Sequence, residues 1–217
     1  MTATADLPLL KPRLRGWLHA GMTPVVLIAG VALMVVTPTL LARLGIAVWL
    51  AGSLVLFGTS AVYHRGTWSP RVLSVLRRLD HSNIYLFIAA TYTPLSLVLL
   101  SGTDRILLLC LVWGIALVGI AVTLLWPGRP RWLDVLLYVP MGWVAIGWLG
   151  AFWTAGRPAV VWLVLIGGVL YTFGAVVYAT KWPNPSPRNF GFHEIFHACT
   201  IAAAACHFAG IAVAVLH

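Results

Sequence analysis

The chain alternates between long apolar runs and short polar clusters, and the runs share one length. Seven stretches free of Asp, Glu, Lys and Arg cover residues 22–41, 44–63, 82–102, 106–126, 135–154, 159–180 and 195–216. All nineteen charged residues lie outside them. Each run is close to the ~20 residues a helix needs to cross the hydrocarbon core of a bilayer. In lipid the backbone has to pair its own amides, so an isolated apolar run of this length spans as a helix. The pattern predicts an all-α fold, an integral membrane bundle of seven transmembrane helices joined by short loops. Residues 1–21 form a polar N-terminal segment and residues 22–217 a seven-helix membrane domain. The first run is long for the apolar part of a signal peptide and is read as a retained span.

Composition agrees with this reading: 61% of the 217 residues are hydrophobic and 9% are charged, whereas soluble domains carry roughly 25% charged residues. A net charge of +9 would suit nucleic acid, but the placement of the basic residues points elsewhere. Lys11, Arg13, Arg15, Arg65, Arg71, Arg77, Arg78, Arg129, Arg131, Lys181 and Arg188 fall on one side of the predicted bundle. Arg43, Arg105 and Arg157 fall on the other. Eleven against three over short loops places the N-terminus in the cytoplasm and the C-terminus outside. Anionic lipid headgroups account for the basic charge, so the expected partner is membrane lipid and not nucleic acid. Cys110, Cys199 and Cys206 all sit within spans, odd in number and without C-x-x-C spacing, and imply no disulfide framework. Cys199 lies near a histidine pair, where it is either a small packing residue or a soft metal ligand.

One connection has a pattern of its own. In "SPRVLSVLRRLDH", Ser69 suits a helix cap and Pro70 the first helical position. Val72, Val75, Leu76 and Leu79 recur at helical spacing among Arg71, Arg77 and Arg78. This predicts a short amphipathic helix lying on the inner membrane surface.

The predicted topology gathers polar residues from distant segments at one membrane depth. Helix 2 ends with Ser60 and His64, helix 3 begins with Asp80 and His81, and helix 7 begins with His193 and His197. His193 and His197 are four apart and share a helix face, as do Ser60 and His64. Single histidines at a membrane boundary are usually interfacial, and His19, His81, His207 and His217 are read that way. His207 lies ten residues past His197, ~15 Å deeper in a helix. Intramembrane ionisable groups, by contrast, are functional by default. Three imidazoles, His64, His193 and His197, make a ligand set for Zn²⁺ that leaves a fourth position for water, as in catalytic rather than structural zinc sites. Asp80 and Ser60 are the accompanying catalytic residues.

"HEIFH", His193 to His197, also matches the H-E-x-x-H pattern of zinc proteases, which would make Glu194 the base. After His197 there is no Asp or Glu to complete such a site, and Cys199 is the sole downstream alternative near that depth. The third ligand therefore comes from upstream, with His64 the best placed.

The segments "SAVYH", "RRLDHSNIYLFIAATYTP", "GAVVY" and "FGFHEIFHACTIAAAACH" together resemble the hemolysin III family. That family belongs to the progestin and adipoQ receptor group, in a superfamily with the alkaline ceramidases. The resemblance covers essentially all of the chain after residue 50. It implies a seven-helix fold with an inward N-terminus, in a bacterial plasma membrane. It also implies zinc held by His64, His193 and His197, with Asp80 beside the metal water and Ser60 as the motif serine. Relatives suggest hydrolysis of amide bonds in ceramide-like lipids and a part in membrane lipid homeostasis.

The expected function is thus a zinc-dependent membrane hydrolase acting on a lipid amide or ester near the inner leaflet. Asp80 would accept the proton of the attacking water, and Ser60 would help hold the developing oxyanion. Pro94 is expected to kink helix 3 and open a cavity beside the site. One rival is a non-enzymatic, zinc-stabilised receptor or regulator. A pore-forming hemolysin is the other and comes last, because the spans carry no polar stripe to line a lumen.

Overall fold

The computed structural model describes residues 12–126, 128–155 and 158–216. His217, Lys11 and Arg157 lie outside them. Within the described residues the chain folds as α1 (Trp17–Val36), α2 (Leu40–Arg65), α3 (Pro70–Leu99), α4 (Gly102–Leu125), α5 (Arg131–Trp143), a 3₁₀ turn (Val144–Trp148), α6 (Leu149–Thr154), α7 (Pro158–Thr180) and α8 (Phe192–Leu216). Seven spans are long and apolar enough to cross a membrane, the fifth being Trp132–Thr154, which joins α5 to α6. The first apolar run covers residues 22–41, but α1 starts at Trp17 and stops at Val36. Pro38 forces the residue before it out of the helical region, and Thr37 is extended at φ −75°, ψ 127°.

The loop helix expected on the membrane surface is not a separate element. Ser69 accepts from the Val72 N–H and Pro70 opens the helix, but that helix runs without a break through Asp80 to Leu99. Thirty residues at 1.5 Å make ~45 Å, more than the ~30 Å hydrocarbon core, so the amphipathic turns are the overhang of the third span. Pro94 lies inside this helix and is buried, packed where a Cβ on Gly45 would come within 2.8 Å of its Cα.

Consecutive helices α1 to α4 pack in order, α7 pairs with α8, and α8 closes against both α1 and α3. In the most apolar window of each span, 67% of α3 is buried against 22% of α1, so α3 is the central element. Small residues bring the helices close, as is usual where lipid supplies no hydrophobic drive. A Cβ at Gly52 would lie 2.6 Å from Ala90, and one at Gly174 would lie 2.8 Å from Cys199. Cys199 thus packs into the α7–α8 seam, and all three cysteines are free.

The fifth span carries Pro140 inside α5 and is interrupted by the 3₁₀ turn that follows Trp143. Its loosened backbone is held by one side chain of α3. The Tyr92 hydroxyl donates to the Gly142 carbonyl at 2.7 Å and accepts from the Ala145 N–H at 2.8 Å. Irregular backbone at membrane depth is tolerated where it is paired or faces a cavity, and here both hold. A cavity of about 90 Å³ runs inside the bundle, lined by Gly142 and Ala145 among others.

Candidate metal centre

His64 occupies the last turn of α2 and is 6% exposed. Its position depends on Gly16, which precedes α1 at φ 81°. That left-handed conformation suits glycine, and a Cβ there would meet the His64 Cβ at 2.7 Å. The start of α1 is therefore pressed against the residue that α2 delivers to the site.

α8 is pinned at its first turn. Glu194 accepts from the Gly191 N–H at 2.8 Å and from Arg15 Nε, and is 1% exposed. The first contact is the Glu half of a capping box, in which a side chain three residues into a helix reaches back to its start. Asn184 accepts from the Phe192 N–H at 3.2 Å. His193 and His197 then project one turn apart from the same helix.

The three histidines converge. The Nε2 atoms of His64 and His193 are 3.2 Å apart, and one ring nitrogen from each of His64, His193 and His197 lies within 4.8 Å of the others. Nitrogens ~2.0–2.1 Å from one tetrahedral zinc stand about 3.3 Å apart. The His64–His193 pair is already at that separation, and His197 brings a ring nitrogen to within 4.8 Å of both. The donor set is all imidazole, is largely buried, and fits a metal ion. Cys199 is not part of the group.

Asp80 and Ser60 meet at this cluster. Asp80 Oδ2 is 3.7 Å from His64 Nε2, and Ser60, 2% exposed, lies within hydrogen-bonding reach of the Asp80 carboxylate. Both residues line the internal cavity beside His197. From there the cavity runs to His207 and Tyr171 between walls that mix Leu, Ile, Val and Phe with Tyr92, Thr91, Thr172 and Thr200.

The other histidines divide. His81 turns from the cluster to Asp134, at 3.7 Å, which in turn pairs with Arg129 at 2.6 Å. His207 lies against the Val164 carbonyl at 3.2 Å, deep in the bundle. His19, assigned to the interface from sequence, is instead 3% exposed and stacked on His197, with ring centroids 3.9 Å apart and planes at 5°. A signal for it existed: His19 begins the first span at the same end of the bundle as His64 and Asp80.

Comparison with known proteins agrees with this architecture. The family model described as haemolysin-III related matches residues 8–208. A hemolysin-3 homolog of Bacillus subtilis is 33% identical over 156 residues, covering 71% of this chain and 70% of that protein. Hemolysin-3 of Bacillus cereus is 34% identical over 139 residues, covering 64% and 61%. An ADIPOR-like receptor of Saccharomyces cerevisiae is 42% identical over 53 residues, 22% of this chain and 17% of that one. With seven membrane-spanning helices and a family match over nearly its whole length, the chain belongs to the haemolysin-III related family of multi-pass proteins of the bacterial cell membrane.

Proposed function

We propose that this protein is a zinc-dependent membrane hydrolase that cleaves an amide or ester bond in a lipid near the inner leaflet, in the service of membrane lipid homeostasis. The observation that carries this reading is the placement of Asp80 and Ser60 between the three-histidine cluster and an apolar cavity. His64, His193 and His197 would hold the metal. Bound zinc polarises a carbonyl and makes water acidic enough to ionise near neutral pH. Asp80 takes the proton from the attacking water and returns it to the departing amine or alkoxide. Ser60, within reach of Asp80, donates its one proton to the carboxylate and holds it in line. Once Asp80 has taken the water proton, the hydroxyl is free to turn and donate to the oxygen on which negative charge develops. The cavity takes the acyl chain, and its apolar wall keeps bulk water from the reacting bond. Glu194, the base under the protease reading, is committed to Arg15 and to the Gly191 N–H.

The test is Asp80→Asn, which keeps the size of the side chain and removes its basicity. Loss of a general base lowers a rate by ~10²–10⁴. The purified variant should keep its fold and zinc while turnover of a ceramide-type amide falls by that order. Full turnover in Asp80→Asn would overturn the assignment. A second reading, a receptor or regulator in which the metal staples α2 to α8, draws on the short match to the ADIPOR-like receptor. It predicts that zinc removal abolishes function while Asp80→Asn and Glu194→Gln both leave it intact.

A further inference from the structure

Among the described residues, buried side-chain polar atoms without a hydrogen-bond partner occur on His19, Trp49, Arg78, Tyr85, Tyr138 and Tyr171. Three of these six residues, His19, Tyr138 and Tyr171, line the one cavity that also holds Asp80 and Ser60. Leaving a buried polar group unpaired is costly, so such groups gathered around one space call for a ligand that satisfies them.

His19 and Tyr138 stand nearest the metal cluster. Both ring nitrogens of His19 lack a partner, and the ring lies flat on His197 with Phe57 at its edge. It is not among the converging ligand nitrogens. Tyr138 is 7% exposed and its hydroxyl is unpartnered. It borders both the main cavity and a smaller one of about 20 Å³ shared with Asp80, His193 and His197. α1 packs against α2 and α8, whereas α5 packs against α3, α4 and α7. The two residues therefore reach the same space from different walls.

We infer that His19 and Tyr138 bind the polar linkage of the lipid, an amide or a hydroxyl-bearing segment, and hold it against the Asp80–Ser60 end of the cavity. A neutral imidazole offers one donor and one acceptor, and a phenol offers a donor and an acceptor. Together they match the carbonyl and N–H of an amide, or a carbonyl with a neighbouring hydroxyl, better than they match hydrocarbon. A ligand without that linkage would leave both residues unpaired. Tyr171, beside His207 with ring centroids 5.5 Å apart, lies too deep to share this contact. The inference rests on the lipid-hydrolase reading and adds to it the residues that select the substrate.

The test measures binding, not turnover, on the zinc-loaded full-length protein in lipid nanodiscs, in an Asp80→Asn background. The probe is N-dodecanoyl sphingosine carrying a terminal NBD fluorophore, with a chain-matched NBD-alkane lacking the amide for comparison. His19→Phe keeps the ring stacked on His197, and Tyr138→Phe removes one oxygen, so neither disturbs packing. Each should weaken amide-probe binding about three- to tenfold, as for one lost hydrogen bond, and leave alkane binding unchanged. Tyr85→Phe, whose hydroxyl is buried away from the cavity, should change neither. Unaltered amide-probe binding in both variants, equal weakening of both probes, or no binding by the parent would overturn the inference. Turnover measured with Asp80 restored separates the two ideas. Turnover that is indifferent to His19 and Tyr138 sinks this one alone, and selective binding without turnover sinks the hydrolase alone.

Discussion

At the level of single residues, the candidate site divides into groups whose role is set by spacing and groups whose role is set by contact. His193 and His197 were legible because a separation of four puts two side chains on one helix face. His64 and Asp80 were legible because alternating spans return to the same end of the bundle. His19 and Tyr138 were not, because stacking on His197 and an unpaired hydroxyl depend on how helices rotate about their axes. Charge-free runs say nothing about that rotation. Glu194 reads in sequence as part of a protease motif, and in the fold it is a cap and an ion-pair partner of Arg15. These assignments predict that purified protein carries about one zinc per chain, as a three-histidine site would. Alanine at His64, His193 or His197 should remove most of it by elemental analysis. His207→Ala should keep it, since His207 bonds to Val164 far from the cluster. Full zinc in His64→Ala would mean that α2 supplies no ligand.

Among the elements, the existence and order of the spans follow from the apolar runs, while their ends and interruptions follow from chemistry the runs do not encode. Pro38 ended α1 inside an uninterrupted apolar run, and the amphipathic turns after Ser69 fused with the third span because no breaker separates Leu79 from Ser82. The fifth span is the least regular, and Tyr92 explains how it persists. Its hydroxyl serves both the Gly142 carbonyl and the Ala145 N–H at the point where the helix gives way. Tyr92→Phe should therefore cost ~1–3 kcal/mol, the penalty for stranding buried backbone groups, read as a lower unfolding midpoint in detergent. Tyr138→Phe is the informative contrast. With no protein partner for its oxygen, it should leave that midpoint unchanged or raise it. Equal losses in the two variants would show that aromatic packing, and not the hydroxyl bridge, holds the 3₁₀ turn in place.

For the molecule as a whole, orientation decides which leaflet the cluster faces, and charge is the force that sets it. Arginines at both ends also do local work in the fold, Arg129 among them, which donates to the Thr123 and Trp126 carbonyls at 3.1 Å. Arg43 Nε donates to the Thr37 carbonyl at 2.7 Å and Arg105 Nε to the Leu100 carbonyl at 2.8 Å, each at the end of a preceding helix. Basic side chains at helix C-termini are stabilised there by unpaired carbonyls and the helix dipole. These two are thus accounted for without any contact with a lipid headgroup. At the opposite end, Arg13 and Arg15 join the α7–α8 connection through Arg188 and Glu194. Exposed Trp17, Trp126, Trp132 and Trp182 lie at that same end, and exposed Trp153 and Trp162 lie towards the other, so indole rings mark both interfaces and leave the orientation to the charges. The prediction is that this end faces the cytoplasm. Alkaline phosphatase fused after His217 should be active, and green fluorescent protein at the same position should be dark. The reverse pattern would place His64, His193 and His197 at the outer leaflet, and any lipid cleaved there would have to come from the outer face of the membrane.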